Sequence, residues 1–416
     1  MSKTDSRKSF YLILILGLLT AIGPLSIDMY LPAFPNIAKN LNTDISHVML
    51  SLSSFFIGIS AGQLIYGPLL ERYGRKNPLY AGLSIYMVAS IGCAMATSVD
   101  SLIVFRLLQA LGGCAGMVAA RAIVRDLFEV KEIAKIFSML MLVVAISPII
   151  APTLGGYITA LFSWRYIFAI LIFVNIIIVA GVYFLLPESK KSDPGFSLKA
   201  ADVIKNFVSI ARHPQFYTYA LAGAIAHAGL YAYISGSPFV FIEYFHVNEK
   251  QYGWIFALIA MGLIGSSQIN NFILKRQSGE HIIKVAAGCQ CFIGAIFAFL
   301  TYFGWNDIFL TIFLIFLFVC CQGFIFPNAS ALSLAPFANN AGSASALMGA
   351  IQMGIGAGAS VVVSLLQNQT VFPMAAVMAF CSMLAFSVYS LGKKFIVRKA
   401  SVESVEEEDV EMISTL

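Results

Sequence analysis

The sequence predicts an all-α membrane protein with twelve transmembrane helices in two six-helix bundles. Hydrophobic residues make up 59% of the 416 residues and charged residues only 11%, whereas a soluble domain carries roughly 25% charged residues. The apolar residues form long runs, and a helix needs about 20 of them to cross the ~30 Å hydrocarbon core of a bilayer. Uniform runs exclude a membrane β-barrel, because its strands would alternate apolar and polar residues.

Short polar joints divide the apolar runs into twelve spans. We predict the spans at residues 10–31, 47–70, 78–98, 101–124, 134–160, 165–186, 215–240, 251–273, 282–303, 307–331, 342–367 and 372–395. The longest polar joint separates span 6 from span 7. It divides the chain into an N-terminal bundle (1–186), a cytoplasmic central loop (187–214), a C-terminal bundle (215–396) and an acidic cytoplasmic tail (397–416).

The distribution of basic residues predicts the orientation of the chain. If the N-terminus is cytoplasmic, the segments on that side contain 22 of the 26 Lys and Arg residues. Cytoplasmic segments are enriched in these residues, so we predict that both termini lie in the cytoplasm. The net charge of +5 is then a topology signal, and we expect the lipid bilayer but no nucleic acid as a partner. No metal site is expected, because the cysteines form no CxxC pair and the histidines no HxxxH or HExxH spacing.

The joint between spans 2 and 3 contains a cluster of charges and glycines: Gly67, Glu71, Arg72, Gly74, Arg75 and Lys76. Gly67 would let two helices approach closely, and Gly74 would permit a tight turn. Glu71 would pair with arginines or with a helix N-terminus on the cytoplasmic face, and Arg121 and Arg125 are its candidate partners. Such a cluster suits a gate that opens and closes with conformation. The alternative is that its basic residues only fix the topology.

Two charged residues lie inside spans, where each costs at least ~2.5 kcal/mol. Asp28 lies ~27 Å along span 1, and Arg106 lies ~8 Å along span 4, which runs in the opposite direction. The two residues therefore have nearly the same depth, and we expect both to line a central cavity and approach each other. Asp28 would bind a proton in one state and release it in another, and we expect it to be the proton and cation site with Arg106 as its partner. The alternative is a static pair that fixes helix packing.

Span 5 contains two prolines and two glycines: Pro148, Pro152, Gly155 and Gly156. Proline removes a helix hydrogen bond, and glycine makes a smooth packing surface. A helix of this kind could act as a pivot, or it could simply be kinked. Other polar and aromatic residues are candidates for a mostly apolar cavity: Tyr30, Phe34, Gln63, Gln109, His227, Tyr231, Gln322, Asn328 and Gln352. For each, the alternative is a structural hydrogen bond between helices.

These motifs resemble those of a known family. The joint GPLLERYGRK is similar to the signature loop of the major facilitator superfamily, with Glu71 where that family usually has Asp. SIDMYLPAFP, RLLQALGG and SPIIAPTLGG resemble its bicyclomycin/chloramphenicol resistance (Bcr/CflA) subfamily of drug exporters. The resemblance implies a major facilitator fold and a monomer in the bacterial inner membrane. It also implies antiport of small amphipathic drugs against protons by alternating access, driven by the proton gradient without a cofactor.

Other functions remain open at this point. A close alternative is a proton-coupled exporter of a dedicated metabolite or siderophore, and a metabolite importer is a more distant one. A membrane enzyme or receptor would require an active-site constellation or a large domain outside the membrane, and the sequence shows neither. It also lacks the GxxxxGK[S/T] phosphate-binding motif of an ATP-driven pump. We therefore predict a transporter and not an enzyme.

Overall fold

The computed structural model describes the backbone of residues 3–128, 130–193, 195 and 198–414. Side chains are described in these ranges apart from 3–10, 130–131, 133–135, 200, 338–339 and 397–414. The regular structure of the described residues is all helical. The side chains of the predicted acidic tail lie outside the described residues.

Within the described residues, twelve helices are long and apolar enough to cross a membrane, which confirms the twelve predicted spans. They extend over Tyr11–Asn40, Ile45–Tyr73, Lys76–Met95, Val99–Leu127, Ile136–Leu161, Arg165–Leu185, Pro214–Tyr244, Glu249–Ile273, Gly279–Tyr302, Ile308–Phe337, Ala341–Leu365 and Phe372–Ile396. The helix of span 5 begins at Val130, and that of span 12 continues to Ser414. We call the end of the bundles that carries residues 72–76 the motif face, and the other end the opposite face.

Polar residues define where several spans begin. Ser98 accepts a hydrogen bond from the backbone N–H of Ser101 and starts span 4 with a capping box. Asn248 caps span 8 in the same way, and the Asp307 carboxylate accepts two backbone N–H groups at the start of span 10. Such caps satisfy N–H groups that have no partner within the helix.

Spans 1 and 7 are interrupted near the opposite face. The α-helix of span 1 ends at Asp28 and is followed by a 3₁₀ turn, Leu31–Ala33, and a short helix, Phe34–Asn40. Pro32 has no N–H group for the carbonyl of Asp28, so a continuous helix is disfavoured at this point. Span 7 changes from an α-helix to a π-helix after Pro238. The sequence analysis treated both spans as continuous and ended span 1 too early.

The central loop contains a helix that the sequence analysis missed, Ala200–Ala211. Ile210 is buried on one side of this helix, whereas Ile204 and Val208 are exposed. The Asn206 side chain donates a hydrogen bond to Ser343, at the start of span 11. The loop is therefore docked on the C-terminal bundle and is not only a flexible connection.

The two bundles contact each other mainly through span 2 with span 11 and through span 5 with span 8. The hydroxyl oxygens of Ser53 and Ser360 lie 2.6 Å apart across this boundary, and Ser360 donates to Ser235 at 2.9 Å. At the opposite face, the Asn36 amide donates to the carboxylate of Glu249 at 3.1 Å. Together these contacts close the boundary toward the opposite face.

Helices inside the N-terminal bundle pack at backbone distance. A Cβ atom added to Gly112 in span 4 would lie 2.5 Å from the backbone nitrogen of Tyr86 and 2.6 Å from the carbonyl oxygen of Gly82. Backbone atoms cannot give way as a flexible side chain does. We predict that Gly112→Ala destabilises the protein by about 1–3 kcal/mol, the usual cost of overpacking.

Thermal unfolding of the purified protein in detergent tests this prediction. Gly265→Ala is the matched control, because a Cβ atom at Gly265 would have no neighbour within 4 Å. We expect a lower Tm only for the Gly112 variant. Equal Tm values for both variants would contradict the close approach of spans 3 and 4.

Candidate functional site

Arg106 lies fully buried inside the N-terminal bundle. Its guanidinium donates hydrogen bonds to the carbonyl oxygen of Ser26 at 3.0 Å and to the side-chain oxygen of Gln109 at 2.7 Å. The rings of Tyr30 and Phe55 lie 4.4 and 4.1 Å from its central carbon. These groups stabilise a buried cation by cation–π attraction and hydrogen bonding.

A second layer of hydrogen bonds holds the groups around Arg106. The Gln109 amide donates to the Ser90 hydroxyl at 2.8 Å, and the Ser26 and Tyr86 hydroxyls lie 2.7 Å apart. Tyr30 is bonded to Ser51 at the same distance. Spans 1 to 4 thus contribute side chains to one buried polar network, which orients the guanidinium.

Asp28 lies at the boundary between the bundles. Its exposure is only 4%, and it makes no hydrogen bond or ion pair with the described residues. It lies within electrostatic range of three tyrosines of the other bundle, Tyr231 and Tyr233 in span 7 and Tyr252 in span 8. The hydroxyl of Tyr233 is buried and has no hydrogen-bond partner in the described part of the chain. Asp28 therefore faces a polar but uncharged wall.

The predicted approach of Asp28 to Arg106 is wrong for this structure. No ion pair within 4 Å joins the two among the described residues. Successive residues of an α-helix are rotated by about 100°, so side chains two positions apart point in nearly opposite directions. The Ser26 side chain points into the N-terminal bundle toward Tyr86, and Asp28, two residues later, points out of it. Both charged residues are buried as expected, but on different sides of span 1.

The motif loop is held by ion pairs at the motif face. Arg75 is 3% exposed and donates to Asp126 in span 4 at 2.7 and 3.2 Å and to Glu71 at 2.9 Å. Glu71 also pairs with Lys190 of the central loop. Burial lowers the pKa of Arg75, but the hydrogen bonds to Asp126 and Glu71 outweigh it and raise the pKa above its usual value. The guanidinium therefore stays charged and joins spans 2 and 4.

The central loop completes the network at the start of span 3. The Glu188 carboxylate accepts the backbone N–H groups of Arg75 at 2.7 Å and Lys76 at 3.2 Å. An acidic side chain at a helix N-terminus is favourable because of the helix dipole. The Lys76 ammonium donates to the carbonyl of Leu186 at 2.9 Å, and Arg72 donates to that of Asp193 at 3.5 Å. The network thus extends from span 2 to the end of span 6.

Three details of the motif loop test the predictions for it. Gly74 has a φ angle of +82°, which confirms the predicted tight turn. Gly67 does not support a close helix approach, because a Cβ atom there would have nothing within 4 Å. Arg121 and Arg125 were also wrong as partners of Glu71, since Arg75 and Lys190 occupy its two oxygen atoms.

The span 5 motif packs against backbone on two sides. A Cβ atom at Gly155 would lie 2.1 Å from the carbonyl oxygen of Met29, next to Asp28, and one at Gly156 would lie 2.3 Å from that of Glu249 in span 8. Pro148 and Pro152 lie within the same helix, Val130–Leu161. The predicted glycine packing surface is confirmed. The pivot role of these four residues stays a prediction.

The cavity candidates of the N-terminal bundle do not lie where we expected them. Tyr30, Phe34 and Gln109 have no exposed surface and pack inside the bundle around or near Arg106. Their prediction as cavity residues is therefore wrong in this structure. Gln63 does reach the boundary between the bundles, where its side-chain oxygen would lie 1.9 Å from a Cβ atom at Gly349 of span 11.

The candidates of the C-terminal bundle fall into two groups. Gln322 donates to the carbonyl of Ala226, and Asn328 donates to the side chain of Asn270 at 2.8 Å. Both are structural hydrogen bonds between helices, which was the stated alternative.

Aromatic groups surround the remaining candidates. The His227 ring contacts the rings of Tyr231 and Phe326, with centroids 5.1 and 4.7 Å apart. Tyr231 also contacts Phe56 of the other bundle at 4.7 Å. Gln352 lines a small cavity together with Phe326. Aromatic surface with a few polar groups is typical of binding sites for small organic molecules.

Several functional residues escaped the sequence analysis. Asp126, Glu188 and Lys190 complete the motif network, although their charges at span ends were a usable signal. Ser26 and Ser90 hold Arg106 and Gln109, and buried serines carry no comparable signal in one sequence. The three tyrosines near Asp28 were also missed as a group, because their proximity depends on how the bundles dock.

We predict that Arg75→Gln destabilises the protein by about 2 kcal/mol. The value is below the ~3–5 kcal/mol for breaking a fully buried pair, because the Glu71 side chain is 33% exposed. Chemical denaturation or thermal unfolding in detergent measures the change. Lys191→Gln removes the same charge from an exposed site and should change stability little. A similar loss in both variants would show that the network is not specifically stabilising.

Comparison with known proteins gives a consistent result. The chain is 32% identical to the uncharacterized MFS-type transporter YdgK of Bacillus subtilis, over 89% of this chain and 92% of the relative. It is 28% identical to a bicyclomycin resistance protein homolog of Haemophilus influenzae, over 92% and 96% of the two chains. It is also 28% identical to a chloramphenicol resistance protein of Pseudomonas aeruginosa, over 91% and 89%. These relatives confirm the resemblance to the Bcr/CflA subfamily.

Solved structures share the fold. A D-xylose-proton symporter superimposes with a TM-score of 0.72 at 12% identity, over 90% of this chain and 97% of the other. A bacterial homolog of the lysosomal transporter Spinster gives 0.71 at 14% identity, over 95% and 98%. The family model of the Major Facilitator Superfamily matches residues 16–362. The chain is therefore a multi-pass membrane transporter that belongs to the Major Facilitator Superfamily.

Proposed function

We propose that this transporter exports small amphipathic drugs in exchange for protons, by alternating access. The observation that supports proton exchange best is Asp28, a buried carboxylate at the boundary between the bundles with no cationic partner among the described residues. An ionised carboxylate in such a place is costly. The relatives named for resistance to bicyclomycin and chloramphenicol support the substrate class.

The position of Asp28 suits a group that changes its protonation with conformation. In the described arrangement its neighbours are tyrosines and the broken end of span 1, so the neutral carboxylic acid is the favoured form. When the bundles separate on the opposite face, water enters and the carboxylate can ionise. A proton bound from one side would thus be released to the other.

The contacts between the bundles suit alternating access. Ser53 with Ser360 and Asn36 with Glu249 close the boundary near the opposite face. None of these contacts involves a charge pair, so they can break at modest cost. The motif network around Arg75 lies at the other end and would stabilise one of the two states. Span 5 touches span 1 beside Asp28 and span 8 of the other bundle, which suits a pivot.

The setting of this function follows from the topology. We infer that the protein works as a monomer in the bacterial inner membrane, with both termini in the cytoplasm. Its energy source is the proton gradient, and no cofactor takes part. The motif face is then the cytoplasmic side, from which substrates enter.

A dedicated metabolite or siderophore is the second candidate substrate. The polar groups of Gln352, His227 and Tyr231 favour a dedicated substrate, because dedicated sites use hydrogen bonds for recognition. Growth of an efflux-deficient strain on a drug panel separates the two candidates. Resistance to several unrelated drugs supports the drug exporter, whereas resistance to none supports the dedicated carrier.

We predict that Asp28→Asn abolishes uptake of labelled chloramphenicol into proteoliposomes driven by a pH gradient, but preserves its exchange without a gradient. Asparagine keeps the size of the side chain and cannot bind a proton. The matched control is Glu243→Gln, which makes the same change at an exposed position of span 7. Gradient-driven uptake that survives in the Asp28 variant would overturn the assignment of the proton site.

A further inference from the structure

Two arginines of span 4 remain without an assigned role. Arg121 lies six residues before the end of the span at Leu127, so it is ~9 Å inside the helix. Arg125 lies one turn closer to the motif face. Neither takes part in the motif network, and the sequence analysis had assigned both to Glu71.

The two arginines lie on a side of span 4 that faces other helices. Residues 114, 117, 121 and 125 are three or four positions apart and therefore share one side of the helix. The sulfur of Met117 would lie 2.9 Å from a Cβ atom at Gly23 in span 1. The Arg125 guanidinium would lie 3.6 Å from one at Gly342, in the first turn of span 11. Met117 therefore packs inside the N-terminal bundle, whereas Arg125 lies at the boundary between the bundles.

Neither arginine forms an ion pair with a described residue. The Nε atom of Arg121 donates to the carbonyl of Met117 at 3.3 Å, and within the described residues no carboxylate lies within 4 Å of Arg121 or Arg125. Arg121 is partly buried, and Arg125, one turn closer to the motif face, is exposed.

The acidic groups nearby are already bound to cations. Asp126 pairs with Arg75, Glu71 with Arg75 and Lys190, and at the start of span 9 Glu280 pairs with Lys393. Arg121 and Arg125 therefore have no carboxylate partner among the described residues at the motif-face end of the boundary. Among the described residues, Asp28 is the one carboxylate deep inside a span, and its neutral form would not attract cations.

We propose that Arg121 and Arg125 set the charge selectivity of the substrate path, which favours anionic over cationic molecules of the same shape. This rests on the proposed function, because it assumes that substrates enter at the motif face. A cation meets repulsion from both guanidinium groups and an anion meets attraction. At separations near 8 Å in an aqueous entrance, the two arginines together produce a discrimination of about tenfold.

The test uses two ions of nearly identical shape and opposite charge, tetraphenylborate and tetraphenylphosphonium. Their Kd values are measured by isothermal titration calorimetry of the purified protein in one detergent. Both ions also enter micelles, so the decisive quantity is the ratio of the two Kd values, compared between variants. We expect Arg121→Gln to shift this ratio by about threefold or more toward the phosphonium ion.

Two control variants separate charge from structure. Arg121→Lys keeps the charge and should keep the ratio of the wild type. Arg276→Gln removes a positive charge from the exposed joint between spans 8 and 9 and should also leave the ratio unchanged. If Arg121→Lys and Arg276→Gln both keep the wild-type ratio of Kd values, the effect of Arg121→Gln is local and electrostatic.

The outcomes distinguish this proposal from the proposed function. A ratio that stays constant in Arg121→Gln overturns the charge selectivity, even if pH-driven transport of chloramphenicol is intact. A shifted ratio in a protein without pH-driven transport supports the selectivity and contradicts proton coupling. If neither ion binds to the wild type, the path does not accept large organic ions and the proposal is wrong.

Discussion

The Asp28 carboxylate is buried between the two bundles without a hydrogen-bond or ion-pair partner among the described residues. An ion in this position would lose most of its hydration and regain little from the protein. The arrangement of the bundles is therefore linked to the protonation of one side chain. Because the described contacts across the boundary are hydrogen bonds, glycine contacts and an aromatic contact, no ion pair among the described residues opposes its opening near Asp28. Binding or release of one proton at Asp28 would shift the equilibrium between the two arrangements of the bundles.

Arg106 shows how the N-terminal bundle accommodates a charge that it does not release. Its guanidinium is surrounded by aromatic faces, a backbone carbonyl and an oriented amide, all within one bundle. This cation can stay rigid while the bundles move, because none of its partners crosses the boundary. Asp28 lies on the other side of span 1, and no salt bridge joins the two residues in the described part of the chain.

The motif network holds charged side chains in fixed positions at the motif face of the N-terminal bundle. Arg75 joins spans 2 and 4, and Glu188 joins the start of span 3 to the end of span 6. These four helices move as one body if the network stays intact. The central loop contributes Lys190 to the N-terminal bundle and Asn206 to the C-terminal bundle. A segment that appears to be a linker therefore contacts both halves of the protein.

The sequence predicted the spans and their number well, because hydrophobic run length is a direct consequence of membrane thickness. It also predicted that Asp28, Arg106 and Arg75 would be important, since buried charges are costly and therefore rarely incidental. It failed for the partners of these residues. Depth along a helix was read correctly for Asp28 and Arg106, but depth does not determine on which side of a helix a side chain lies.

Partner choice in the motif loop depended on the path of the central loop, which brings Lys190 to Glu71 in span 2 and Glu188 to the start of span 3. No periodicity in the sequence reports this path. The break in span 1 was easier to predict from the sequence, because Pro32 has no N–H group for a hydrogen bond to the carbonyl of Asp28. The sequence pattern thus predicts which helices form but not how these helices pack against one another.

The most direct test of the account is proton release upon substrate binding. Purified protein in weakly buffered detergent solution is mixed with chloramphenicol, and a pH-indicator dye follows the protons released. We expect proton release that saturates with binding in the wild type and is absent in Asp28→Asn, although the variant still binds chloramphenicol. Equal release by both proteins, or none from a wild type that binds, would contradict the role of Asp28.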